Sequence, residues 1–423
     1  MEETRGALAI IGYVNAPRSG LSKTDLSKTD LSKTDLSKIP ESRSLILDGR
    51  TWAEVSLAAL GENFHAVQNH VGKGVTICAV VKADGYGHGA VECARALESE
   101  GAEWLGVTDA AEGLALRSAG CEARILLMTG IWKGEEDGIV AENLTPTIWE
   151  PWHIETLERA ARKRQSILPV HLKLDTGMNR LGASPHALPH LCKMLSACKH
   201  LTLEGASTHF ASAEVLDAED AVRQMKLFEE GLGVLQNYGL RPSLVHMGNS
   251  AAMSARPETW KTMVRPGIAL YGYSLAFTRA GEAAAVPELP LRPVLSWKTR
   301  VLTVKDVAAG QAVGYMGTFV TKAQSRIAVL PVGYADGYPR LLSNRARVIV
   351  RGEYAPVVGR VSMDLTIVDV SQIRGVGVGD EVVLIGNSNR KNVDAVELAR
   401  LCESVPYEIL CGLSQRVPRV YSC

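Results

Sequence analysis

Lys82 stands where an apolar run ends, in "VVKADGYGHGA" (residues 80–90), with glycines at 85, 87 and 89 close behind it. A buried lysine is costly unless something uses it. The glycines leave little bulk around whatever Tyr86 and His88 touch. Two further stretches offer anion donors: "GNS" (248–250), where a glycine turn and Ser250 precede a short helix-like stretch, and "RPGI" (265–268), where Gly267 lets backbone N–H groups approach closely. A lysine amine attacks carbonyls to form Schiff bases, either with a sugar-like substrate or with the aldehyde of pyridoxal phosphate. Together, the lysine and the anion donors favour a phosphorylated cofactor and leave a phosphosugar open.

Such residues need elements to bring them together. Eight apolar runs follow one another: 75–84, 104–109, 125–130, 144–149, 170–177, 203–209, 244–250 and 263–272. Most of the gaps carry helical patterns such as "HIETLERAARKR" and "AVRQMKLFEEGLGVLQNY", while the seventh gap is short. Near-continuous apolar strands separated by amphipathic helices mean a parallel sheet covered by helices. Eight such units predict an α/β fold with a (β/α)8 TIM-type barrel over residues 45–285. Lys82, Asp84, Lys173, Asp175, Arg180, His209, Asn249, Ser250 and Arg265 fall late in these runs or just past them. In a barrel those positions share one rim, where active sites are built. His88 reads as structural.

From about residue 286 the texture turns β-branched, alternating and glycine-punctuated, which predicts a mostly antiparallel β domain over 286–423. "TWAEVSL" (51–57) alternates similarly and is available to pair with it. Residues 21–38 repeat LSKTD, a five-residue period that builds no apolar face, so residues 1–44 read as a disordered low-complexity tail outside the fold.

Composition narrows the partners. Lys plus Arg equals Asp plus Glu at 46 each, so no positive excess argues for nucleic acid or an anionic membrane. Small neutral or zwitterionic ligands are expected instead. The eight cysteines show no C-x-x-C spacing and several sit in apolar runs, which suits reduced thiols in the cytoplasm and no bound metal. No apolar stretch is long enough to span a bilayer, and "ALAIIGYV" near the start, preceded by Glu2 and Glu3 with a single Arg5, is weak as a signal peptide.

"AVVKADGYGHGA", "HLKLDTGMNRLG", "GNSAA", "RPGIALYG", "VGRVSMD" and "YEILCGLSQRVPR" together resemble the alanine racemase family, from about residue 50 to the C-terminus. The resemblance implies a pyridoxal-phosphate enzyme that interconverts L- and D-alanine and supplies D-alanine for peptidoglycan. It also implies a homodimer in which the β domain of one subunit covers the barrel mouth of the other. A broader amino-acid racemase and a decarboxylase on the related barrel scaffold are the alternatives, and a carrier of the cofactor without turnover is the non-enzyme one.

By the same resemblance, Lys82 would bind the cofactor as a Schiff base and act as one catalytic base, and Tyr315 would be the other, reaching in from the partner. Inverting a stereocentre needs a proton removed on one face and delivered on the other, which one base cannot conveniently do. Arg265 would face the ring nitrogen, supported by His209. Arg180 would hold the cofactor's phenolic oxygen and the substrate carboxylate, steered by Lys173, a position carbamylated in many family members. Tyr86, Ser250, Gly267, Ile268 and Tyr407 would bind the phosphate, with Asn249 beside them. Tyr334, Met363 and Asp364 would line the substrate entrance from the other subunit. Ser362 departs from a cysteine common in relatives, and Gly314 and Met316 flank Tyr315 in a variable part of its motif.

Overall fold

The first strand, β1 (Thr51–Ser56), turns away from the barrel that follows it. It pairs antiparallel with Leu295–Arg300 and parallel with Arg419–Ser422, so the start of the fold is stitched to its end. The computed structural model describes residues 49–422. The LSKTD tail lies outside the described residues.

Eight parallel strands then close on one another: β2 (Thr76–Val80), β3 (Trp104–Val107), β4 (Arg124–Leu127), β5 (Thr145–Ile148), β6 (Leu168–Lys173), β7 (Leu201–Ser207), β8 (Leu244–His246) and β9 (Met263–Val264). Pairing of β9 with β2, Met263 opposite Thr76 and Val264 opposite Ile77, completes the circle. These are the eight apolar runs. Most of their positions are buried because helices cover the outside while side chains fill the inside, which is why they show no polar alternation.

Local chemistry starts the covering helices. Asp109 Oδ1 accepts the Glu112 N–H at 3.1 Å ahead of Ala110–Ser118, and Pro151 opens Pro151–Lys163. The short seventh gap holds the six-residue helix Ser250–Ala255, capped by Asn249 Oδ1 on the Ala252 N–H at 2.9 Å.

Beyond the barrel, one sheet runs Glu353–Pro356, Arg347–Val350, Glu381–Ser388, Leu295–Arg300, β1, Arg419–Ser422, with Lys391–Val393 paired to the side. Its only parallel pair is β1 with Arg419–Ser422. A three-stranded sheet (Thr303–Val307, Ser325–Leu330, Thr366–Asp369) and a hairpin (Ala312–Val313 with Phe319–Val320) complete the domain, and Tyr315 sits in that hairpin's turn. Among the described residues no helix is long and apolar enough to cross a membrane.

Asn63, fully buried on the helix Leu57–Val71, locks the chain entering the barrel to the chain leaving it. Its amide donates to the carbonyls of Leu270 (2.9 Å) and Arg292 (2.8 Å), and its oxygen accepts the Arg292 N–H at 2.8 Å. Leucine has a similar size and none of these bonds. Asn63→Leu is therefore expected to lower the urea midpoint by the equivalent of about 1–3 kcal/mol for each main-chain group left buried and unpaired. An unchanged midpoint would show that those groups find other partners.

Candidate active site

A cavity of about 690 Å³ opens where the barrel strands end. Lys82 follows β2, Lys173 ends β6, and Arg180 lies in the loop beyond it. Thr208 and His209 follow β7, Asn249 and Ser250 follow β8, and Arg265, Gly267 and Ile268 follow β9. All of them line this cavity, with Tyr86 and, from the C-terminal domain, Tyr407 and Cys411. Residues up to 329 positions apart in sequence thus meet because parallel strands share one rim.

Lys82 is set by an uncommon turn. Ala83, Asp84, Gly85 and Tyr86 have φ of 53°, 53°, 60° and 53°, a single turn of left-handed helix. For L-residues this costs roughly 1–2 kcal/mol each, so the surroundings must enforce it. The Gly85 N–H donates to Val81 O at 2.9 Å and the Gly87 N–H to Ala83 O at 3.0 Å. Glu112 Oε1 takes the Ala83 N–H at 2.7 Å, while Asp84 Oδ1 takes the Ala90 N–H at 2.9 Å. His88 Nδ1 lies between the carbonyls of Gly85 (3.0 Å) and Tyr86 (2.9 Å), and its ring packs on Tyr271 at 4.5 Å. That is the structural role expected of it.

Ser250, Gly267, Tyr86 and Tyr407 form one group in the lining. Ser250 Oγ accepts the N–H groups of Gly267 (2.8 Å) and Ala269 (3.4 Å). A Cβ on Gly267 would collide with the Tyr86 hydroxyl, so this glycine is what lets tyrosine and backbone converge. Tyr407 packs beside Tyr86, their ring centres 6.0 Å apart. Asn249, which also lines the cavity, caps the helix that Ser250 begins.

Arg265 is buried among acceptors. Its Nη1 meets His246 Nδ1 at 2.7 Å, and its Nη2 donates to Thr208 O (2.8 Å) and Met247 O (3.2 Å). His209 Nδ1 is its longer partner, at 3.4 Å. The family resemblance points to His209 as the support of Arg265, whereas the shorter contact is with His246. The signal was available: His171 and His246 are two imidazoles inside otherwise apolar strand runs.

Electrostatics follow from the lining. It carries Lys82, Lys173, Arg180 and Arg265 against one carboxylate, Glu214. Burial, then the charge of Arg180, holds the Lys82 amine below the ordinary lysine range. Burial, then Arg265, Arg180 and Lys82, brings Lys173 down to about 7. Burial, then Arg265, Lys173, Arg180 and Lys82, pushes His209 to about 2, so its ring is neutral. Burial lowers Arg265 to about 10, which leaves it cationic at neutral pH.

Tyr315, Tyr334, Met363 and Asp364 do not line this cavity. Tyr315 is 70% exposed, Met363 54% and Tyr334 44%. They are held together elsewhere on the C-terminal domain. Tyr334 N–H donates to Ser362 O at 3.1 Å and Ala335 N–H to Met363 O at 3.0 Å, while Arg416 donates to Asp364 at 2.9 Å. Asn344 connects the Tyr315 turn to this group by donating to Thr318 Oγ1 (3.1 Å) and accepting the Gly359 N–H (2.6 Å). Among the described residues no cluster of His, Cys, Asp and Glu could hold a metal.

Family models for the alanine racemase N-terminal domain and C-terminal domain match residues 55–275 and 294–421. The alanine racemase of Symbiobacterium thermophilum is 43% identical over 377 residues, 89% of this chain and 98% of that relative. Among solved structures, the alanine racemase of Streptomyces lavendulae superposes with a TM-score of 0.82 at 32% identity, covering 88% of this chain and 97% of its own. That of Bartonella henselae, with covalently bound pyridoxal phosphate, superposes with a TM-score of 0.78 at 29% identity, covering 88% and 100%. Both domain models fall in order on a chain whose barrel rim gathers the lysine, the arginines and the Ser250 group, and the chain belongs to the alanine racemase family.

Proposed function

We propose that this chain interconverts L-alanine and D-alanine with pyridoxal phosphate, supplying D-alanine for cell-wall peptidoglycan. The observation that carries the reading is an amine, Lys82, held below its ordinary pKa in a cavity lined also by Arg265 and by the hydroxyl and backbone groups of Tyr86, Ser250, Gly267 and Tyr407. Two lysines and two arginines facing one carboxylate fit a phosphorylated cofactor joined to an amino acid's carboxylate. When bound, the cofactor supplies an aldehyde that an amine can condense with and a ring that spreads the electron pair left when Cα loses its proton.

The chain's own groups do the rest. Tyr86, Ser250, Gly267, Ile268 and Tyr407 would hold the phosphate, with Asn249 fixing the helix behind Ser250. Arg180 would take the substrate carboxylate. Arg265 can only donate, so it would keep the ring nitrogen unprotonated and restrain side reactions that a carboxylate there would promote. A decarboxylase of basic amino acids would favour that carboxylate, which makes it the weaker reading here. Lys82 would carry the proton on one face of Cα and Tyr315 of the partner subunit on the other. Tyr315 and Met363 would bound a small pocket suited to a methyl group, with Tyr334 and Asp364 at its entrance. The exposure of these four, away from their own chain's cavity, supports a homodimer with shared sites. The described cysteines are all unpaired, which supports a reducing cytoplasm.

Lys173, neutral above about pH 7, would add carbon dioxide through its amine to give a carbamate and release one proton. The product is an anion beside Arg180, which relieves the crowding of cations.

Three measurements check this reading. Lys82→Ala should lose the visible absorbance of bound cofactor, and retention of that band would misplace the anchor. Tyr315→Phe should slow proton abstraction from L-alanine by about 10²–10⁴, the usual worth of a positioned base. Mixed dimers of the two variants each contain one intact site if Tyr315 acts across the interface, so refolding the inactive variants together should restore turnover. No recovery would put both bases on one chain.

For Lys173, carbon-13 NMR under labelled bicarbonate should show a carbamate signal at pH 8. The protonated fraction rises as pH falls through about 7, so the signal should fade there and be missing in Lys173→Ala. No signal in the native protein at pH 8 would overturn the modification.

A further inference from the structure

We infer that Glu204, a barrel-strand residue outside the cavity, is a positioning residue for Arg265, acting through a one-way hydrogen-bond column of His171 and His246. The inference rests on the reading that Arg265 faces the cofactor's ring nitrogen.

The column runs down the inside of the barrel. Arg265 Nη1 lies 2.7 Å from His246 Nδ1, His246 Nε2 lies 2.9 Å from His171 Nδ1, and His171 Nε2 faces Glu204 Oε2 at 3.7 Å. The last separation is an ion-pair distance, longer than a hydrogen bond. Glu204 is itself gripped by both terminal nitrogens of Arg124, at 2.5 and 2.6 Å, and the Arg124 guanidinium lies over the Trp104 ring at 4.1 Å.

Donor chemistry gives the column a direction. A guanidinium has no acceptor, so His246 Nδ1 must be bare where Arg265 meets it. Burial, with Arg265 next, pushes His246 well below the usual histidine range, and burial also lowers His171, so both rings are neutral and carry one proton each. With Nδ1 bare, the His246 proton is on Nε2, where it donates to His171 Nδ1. The His171 proton is then on Nε2, pointing at Glu204. Burial opposes ionisation of Glu204, but His171 and Arg124 hold its pKa down to about 2, so the far end of the column is a permanent anion. Every tautomer is thereby selected from the two charged ends.

Two features of the backbone show that the barrel is shaped around this column. Val170 pairs with Leu203 but His171 pairs with Gly205, so β7 bulges at Glu204 and leaves it opposite no residue. A bulge re-aims a side chain and is common beside active sites. Next to it, a Cβ on Gly205 would collide with the His171 imidazole. Without the carboxylate, the buried His171 Nε2 proton faces no acceptor, and only the guanidinium at the other end opposes its moving to Nδ1. Moving it to Nδ1 sets donor against donor at His246, whose own proton must then move to Nδ1 and face Arg265.

The test is nitrogen-15 NMR of histidine-labelled protein, with and without pyridoxal phosphate. Native holoenzyme should show His171 and His246 with bare Nδ1 and protonated Nε2, and an Nδ1 proton on either would overturn the inference without any variant. Glu204→Leu should mix the tautomers and shift the visible band of the bound cofactor. Glu204→Gln, whose amide oxygen keeps an acceptor facing the His171 Nε2 proton, should restore both signatures. A Glu204→Leu protein with a lower unfolding midpoint but native tautomers and a native band would reduce the column to packing and overturn the role. Failure of the native protein to bind pyridoxal phosphate at all would instead sink the proposed function, while leaving the tautomers to be read in the unloaded chain.

Discussion

Positive charge confined in one cavity is the constraint on which the rest of this structure depends. Lys82, Lys173, Arg180 and Arg265 line a single hollow with only Glu214 opposing them, and each of the two lysines is lowered first by burial and then by the cations around it. A chain free to relax would spread such charges apart. Here they sit at the ends of different barrel strands or in the loops just beyond, and the closed hydrogen-bonded ring from β2 to β9 keeps those ends from separating. Burial and crowding together lower the proton affinity of both amines, bringing Lys173 to about 7.

Rigid strands alone do not aim the side chains. The left-handed turn from Ala83 to Tyr86 folds the chain back so that Lys82 and Tyr86 line the same cavity, and Glu112 and Asp84 hold that turn with carboxylate bonds to main-chain N–H groups. Neither carboxylate belongs to the cavity lining. Their contribution is to make an unfavourable backbone conformation the stable one. Arg265 and Gly267 get the same kind of support from behind, through His246 and through Ser250 bonded to the Gly267 N–H.

This division explains what could be read from residues alone. Eight buried parallel strands leave a coarse mark, runs of apolar residues at helix-length intervals, and the polar residues closing those runs are legible because a rim position is polar where a core position is not. Lys82, Lys173, Arg180, His209, Ser250 and Arg265 were all found that way. The pairing of β1 with both Leu295–Arg300 and Arg419–Ser422 was only partly legible, since alternation says that a strand has a partner and not where along the chain it is. The left-handed turn was not legible, because Ala and Tyr carry no sign of positive φ, Asp and Gly permit it singly without requiring a run, and only the tertiary bonds enforce it. His246 was missed for a related reason. A histidine in an apolar run reads as a core residue until a neighbouring strand shows what its second nitrogen meets.

Arg265 brings these strands of argument together. A buried guanidinium is ordinarily neutralised by a carboxylate, often bidentate. Here its partners are carbonyls of Thr208 and Met247 and the bare nitrogens of two histidines, all neutral. They pair with both terminal nitrogens without cancelling the charge, and the carboxylate of Glu204 is placed two imidazoles away. Had Glu204 been set directly against Arg265, the arginine would be equally well held and far less able to act on whatever occupies the cavity. Two neutral rings between them let the carboxylate govern orientation while the positive charge stays turned toward the site.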